Sequence, residues 1–150
     1  EGDKDLQKYL SFRKNVVTSL AVEIRKSVRR EVEVAIIPSV ARPTSGAWYE
    51  GSDLKELAQA TGAIEACFYE PSVDRIKADL IDIKSRLSGI GKIKGILRPA
   101  YPDLTSENAV IEAVSALWDG GVKDIAFYNY GHIRTQSLGW IATALKKVSN

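Results

Sequence analysis

Glu70 stands in the run Tyr69-Glu70-Pro71-Ser72, where an aromatic ring and a rigid proline flank a carboxyl group. A carboxyl held in a partly desolvated place has its pKa raised, which fits it for general-acid work. A glutamate just ahead of Ser72 could equally serve the positive N-terminus of a following helix. Arg98, ahead of Pro99, could fork two N–H donors onto a carboxylate or phosphate. It could also pair structurally with Glu70 or with a carboxylate supplied from elsewhere. Tyr128, Asn129 and Tyr130 precede a turn glycine, Gly131, and the single histidine, His132. Aromatic faces mixed with amide and hydroxyl groups suit a sugar ring, which needs an apolar platform and many hydrogen bonds. The same tyrosines could simply plug a barrel end, and His132 could act as acid/base or be structural. Trp48, Tyr49 and Glu50 set an aromatic pair beside a carboxylate, and Tyr101 and Asp103 follow Arg98 closely.

The elements that must position these groups repeat about every thirty residues. Four β-like runs, Val32 to Pro38, Ala63 to Glu70, Lys92 to Arg98 and Val122 to Tyr130, are each followed by turn residues and a helical pattern. That alternation is the signature of βαβ units and a parallel sheet. An extra helix comes first, with Leu6, Tyr9, Leu10, Val16, Val17, Leu20, Ile24 and Val28 expected on one buried face. Val73, Ile76, Leu80, Ile83 and Leu87 mark the third helix, capped by Ser72 and stopped by Gly89 and Gly91. Thr105 or Ser106 can cap the next, and Ser137 is expected to cap the last. The helix from about Ser52 to Thr61 follows a loop of about a dozen residues, a length often tied to function.

Strand phase separates a flat sheet from a barrel. A flat parallel sheet is covered on both faces and reads as continuous apolar runs. Here one phase is apolar: Val34 and Ile36, Ala66 and Phe68, Gly95 and Leu97, Ile125 and Phe127. The other opens on an ionisable residue in every strand, Glu33, Glu65, Lys94 and Asp124, and ends on Ile37, Tyr69, Arg98 and Tyr128. A face of that kind suits a barrel lumen. The fold class read from the sequence is therefore α/β, with parallel strands alternating with helices as half of a (βα)₈ TIM barrel. Residues 1–150 form one such domain: four βα units plus an N-terminal helix. A full barrel has eight strands and roughly 250 residues, so a complementary half-barrel or a second copy is the expected partner.

At the strand ends a family likeness emerges. Ala66 to Ser72 (ACFYEPS), Leu97 to Asp103 (LRPAYPD) and Phe127 to Arg134 (FYNYGHIR), with Trp48-Tyr49-Glu50-Gly51 upstream, resemble the C-terminal half of glycoside-hydrolase-like (βα)₈ barrels. Many of those are bacterial proteins of unassigned activity. The resemblance implies a carbohydrate-active hydrolase with its site at the C-terminal ends of the strands. It makes Glu70 the acid/base candidate and Arg98 the group that orients a carboxylate. Trp48, Tyr49, Glu50, Tyr101, Asp103, Tyr128, Asn129, Tyr130 and His132 would contact a saccharide or other small-molecule substrate. Barrel glycosidases often carry a carboxylate at the end of strand seven, where this chain has Arg98-Pro99. The second carboxylate that hydrolysis needs would then be Glu50, Asp103 or a residue of the absent half.

Composition narrows the alternatives. A net charge of +2, with Lys and Arg scattered along helices, gives no footprint for nucleic acid. The densest basic run, Arg25-Lys26 with Arg29-Arg30, ends a helix, where cations interact favourably with the dipole. Cys67 is alone, so no disulfide framework or zinc set exists, which fits a reducing, cytoplasmic setting. No apolar run approaches membrane length. Loops reading Pro99-Ala100-Tyr101-Pro102 and Gly131-His132-Ile133-Arg134 lack the glycines of a backbone phosphate cradle, and the rim carries too few ligands for a metal. No cofactor is expected. The chain contains no methionine and opens on Glu1, as an excised fragment would.

Overall fold

The computed structural model describes residues 3–39 and 50–149. Its elements alternate: α1 (Lys4–Ser27), β1 (Val34–Ile36), α2 (Leu54–Thr61), β2 (Gly62–Cys67), α3 (Val73–Leu87), β3 (Lys92–Leu97), α4 (Glu107–Asp119), β4 (Ile125–Phe127) and α5 (Thr135–Ser149). The four strands form one parallel sheet in sequence order, β1-β2-β3-β4. This is the βα repeat read from the sequence. The outer strands are shorter than their apolar runs because each has a ladder partner on one side alone. No helix among the described residues is long and apolar enough to cross a membrane.

The chain divides into two compact units, one of Glu1–Ala66 with Ile83–Ile93 and the other of Cys67–Asp82 with Lys94–Asn150. In the first, Asp3 starts α1 by accepting from the backbone N–H groups of Asp5 and Leu6 (2.9 and 3.3 Å). Arg25 closes its other end, donating to the carbonyls of Val32 and Arg30 (2.7 and 2.9 Å). The expected buried face of α1 is corrected by the structure. Ala21 is the buried residue and Leu10 and Val17 are half-buried, but Leu6, Tyr9, Val16, Leu20 and Ile24 are exposed. α1 instead lies against α2, where Thr18 donates to Glu56 at 3.1 Å, and against the turn before it, where a Cβ on Gly51 would lie 3.2 Å from the Arg13 carbonyl oxygen and from Val17. Asp53 caps α2, Gly62 ends it in the left-handed region, and Leu57 and Ala58 are fully buried. Gly91 is required at the entry to β3, where φ is +74° and a Cβ would stand 3.0 Å from the Ala58 methyl.

In the second unit the apolar phase of β3 and of the residue after β2 is buried, while Ile125 and Phe127 of the edge strand β4 are half-buried. Phe68 and Leu97 are inaccessible, and Gly95 leaves room for Leu117, Val122 and Phe68. Ser72 sits against the first turn of α3, accepting from the Asp74 N–H (3.3 Å), and Ser106, not Thr105, caps α4. The last helix departs from expectation. It begins at Thr135, so Ser137 lies inside its first turn and is buried instead of capping it. Three of the four charged starts of the other strand phase are paired: Lys94 with Asp124 at 3.0 Å in this unit, and Glu33 with Lys92 at 3.8 Å in the first.

Candidate functional site

Parallel register gathers three of the expected residues at one level of the sheet. The Phe68 N–H donates to the Ile96 carbonyl and the Tyr128 N–H to the Leu97 carbonyl, both at 2.8 Å. Tyr69, Arg98 and Tyr128 therefore leave neighbouring strand ends together. The Arg98 guanidinium lies over the Tyr69 ring, 4.7 Å from its centre, in cation–π range. The Tyr69 and Tyr128 rings are 5.6 Å apart and tilted by 46°. His132 stacks on Tyr128 at 6.2 Å and 10°. Its Nδ1 lies 2.8 Å from Asn129 Oδ1, within hydrogen-bond distance. A tight turn fixes this corner, with the His132 and Ile133 N–H groups both donating to the Asn129 carbonyl.

Arg98 is held by Asp103. Its Nε donates to Asp103 Oδ2 at 2.6 Å, and the Asp103 side chain is almost wholly buried. The loop between them turns back on itself, with the Asp103 N–H donating to the Ala100 carbonyl and the Leu104 N–H to the Arg98 carbonyl. The hydrogen bond to Asp103 raises the Arg98 pKa further, against the opposing effect of burial. The pairing of Arg98 with Glu70, one of the arrangements open from sequence, is not the one formed. Glu70 is buried and its Oε2 takes Arg75, one turn into α3, at 3.3 Å.

Burial raises the Tyr69 phenol above its ordinary value of 10.0, with the Cys67 side chain adding to the effect. The folded state therefore favours the neutral phenol while the unfolded chain ionises at the ordinary value. That stabilisation is complete below pH 10.0 and is lost as pH rises beyond it toward the folded value. The expected result is an alkaline fall in stability that starts at about pH 10 and is reduced in Tyr69→Phe. Denaturant midpoints measured across that range for the two proteins check it.

The remaining expected residues are dispersed. Tyr130 and Tyr101 are more than four-fifths exposed, so neither belongs to the packed cluster. Trp48 and Tyr49 lie outside the described residues. Glu50 is half-buried in the other unit, and its Oε2 has no hydrogen-bond partner among the described residues.

The chain matches no family model, no curated protein and no solved structure. Its site is therefore read from its own geometry. Sequence reasoning missed the Arg98–Asp103 pair and Tyr69. The five-residue spacing of Arg98 and Asp103 around two prolines was a signal for the first. The phase of Tyr69, shared with Arg98 and Tyr128, was a signal for the second.

Proposed function

We propose that the strand-end surface of Tyr69, Arg98, Tyr128 and His132 binds a saccharide, and that this chain supplies half of a glycoside-hydrolase-like (βα)₈ enzyme. The observation that carries the reading is the graded aromatic row: three rings and a guanidinium fixed from below by the sheet register. Its outer members, Tyr128 and His132, remain exposed. Ring faces take the C–H faces of a sugar, while the Asn129 amide, the phenols and the guanidinium offer hydrogen bonds. Asp103 holds the Arg98 fork in place, so that little side-chain freedom is lost on binding. Glu70 is the acid/base candidate of this reading, and the partner carboxylate comes from the complementary half.

NMR titration of the chain with maltohexaose, cellohexaose and chitohexaose tests the binding step. At least one of them should shift the ring signals of Tyr128 and His132, and Tyr128→Ala should weaken that binding about tenfold. Ring signals that none of the three sugars moves would remove the saccharide reading.

A second reading is favoured by a separate observation: a half-barrel scaffold that assembles with another copy. Leu6, Tyr9, Phe12, Val16, Leu20 and Ile24 form an apolar stripe along α1, each between 46% and 63% exposed. β1 and β4 also end the sheet with one ladder partner each. Monomers seldom leave a continuous apolar surface of this kind bare.

A further inference from the structure

α1 carries two apolar faces, and the described residues cover one of them. Leu10 and Val17 are half-buried and Ala21 is buried, on the side where Lys14 meets Asp53 at 3.4 Å and Thr18 donates to Glu56 at 3.1 Å. The other face holds Tyr9, Phe12, Val16 and Leu20 along its middle, between 49% and 63% exposed, with Leu6 and Ile24 at its ends. At 3.6 residues per turn the two faces lie about 100° apart around the helix. A partner can therefore reach the exposed face without displacing α2.

The charges beside that face decide its occupant. Asp5 pairs with Lys8 and Glu23 with Lys26, each at 3.4 Å, and all four side chains are more than two-thirds exposed. In both pairs the acid comes three residues before the base. At about 100° per residue all four project from the flank of the stripe that is remote from α2. A second copy running parallel would set Asp5 on Asp5 and Lys8 on Lys8, like charge on like. A second copy running antiparallel, about a two-fold axis beside Val16, sets Asp5 opposite Lys26 and Lys8 opposite Glu23. The same axis layers Val16 on its own counterpart and Phe12 on Leu20, and brings Tyr9 within a residue of Ile24. Charge order and apolar spacing thus select the same direction and the same register.

We infer that the exposed face of α1 binds the α1 of a second copy of this chain, antiparallel, about a two-fold axis at Val16. The inference rests on the assembling reading above and goes beyond it: the contact is made by a helix instead of the sheet edges, and its direction and register are fixed. The contact is isologous, so each opposed charge pair occurs twice, once on either side of the axis. The 24 residues of α1 give it a length of about 36 Å, and antiparallel helices also set opposite dipole ends side by side.

The experiment is disulfide trapping in the full chain, alongside sedimentation. Val16→Cys should cross-link to its own counterpart under mild oxidation, because the two lie at the axis within reach of a disulfide. Leu6→Cys should stay uncrosslinked, since antiparallel copies hold the two thiols about 30 Å apart. The unsubstituted chain, whose one cysteine, Cys67, is buried, is the control. In a second arm, Asp5→Lys/Glu23→Lys and Lys8→Glu/Lys26→Glu are prepared as separate chains. Each alone should self-associate about tenfold more weakly or worse, and an equimolar mixture of the two should recover the affinity. A helix that had merely frayed would not recover. Dimers that fail to cross-link through Val16→Cys, cross-linking through Leu6→Cys, or a mixture without recovery would overturn the inference and leave the assembling reading in place. A monomeric unsubstituted chain would remove both and give the stripe to a partner of different sequence.

Discussion

Arg98→Ala should cost the protein about 3 kcal/mol of stability, the lower end of the range for removing one partner of a buried ion pair. The asymmetry of burial gives the reason. The Asp103 side chain is 4% exposed and Arg98 27%, so the carboxylate depends on the guanidinium far more than the reverse. Removing Arg98 leaves Asp103 desolvated without its cation, and it also removes the guanidinium from above the Tyr69 ring. Arg98→Lys keeps the charge but not the planar donors, and should recover only part of the loss. Removing both partners in Arg98→Ala/Asp103→Ala should be less damaging than Arg98→Ala alone, since no orphan charge then remains. Urea denaturation of the three variants at neutral pH reads the order. A loss in Arg98→Ala below about 1 kcal/mol, the usual worth of an exposed pair, would show that water reaches Asp103. The result bears on function as well. An arginine whose removal unfolds the strand-end loop must be tested for binding by its neighbours, which is why Tyr128 carries the saccharide experiment.

Phe12→Glu/Leu20→Glu should convert an associating chain into a monomer. Both side chains lie on the apolar stripe of α1, at 63% and 60% exposure, so the substitutions disturb little inside one copy. Covering a large apolar side chain contributes about 1.5–3 kcal/mol, so losing two from an interface should raise the dissociation constant by at least a hundredfold. Sedimentation at micromolar concentration checks it, with the unsubstituted chain expected to run as more than its 16.5 kDa. A two-fold contact places the same stripe on both copies. A monodisperse 16.5 kDa species from the unsubstituted chain would remove the scaffold reading. The saccharide site would stand apart from that outcome.

Much of the architecture was legible in the residues. Alternating apolar runs and helical spacing gave four βα units and a parallel sheet, because periodicity reports how side chains are shared between the two faces of one element. The burial of Phe68 and Leu97 followed from strand phase, and a start of α4 at Thr105 or Ser106 from their short hydroxyls, with Ser106 the cap that forms. Tyr128 and Arg98 were singled out at strand ends, and parallel register placed them there together.

Other features were decided only in three dimensions. The stripe on α1 has the spacing of a buried face, but burial needs a partner surface, and periodicity cannot say whether this chain supplies one. The choice of Asp103 over Glu70 as the partner of Arg98 was set by how the loop after β3 closes, through two backbone hydrogen bonds that no local propensity encodes. Ser137 has the composition of a cap. α5 starts three residues earlier than a cap at Ser137 would have it, which buries Ser137 inside the first turn. A side-chain pattern fixes what an element is and which way it faces along its own axis. Where two loops meet is fixed by register and closure, and the candidate sites of this protein are built from those meetings.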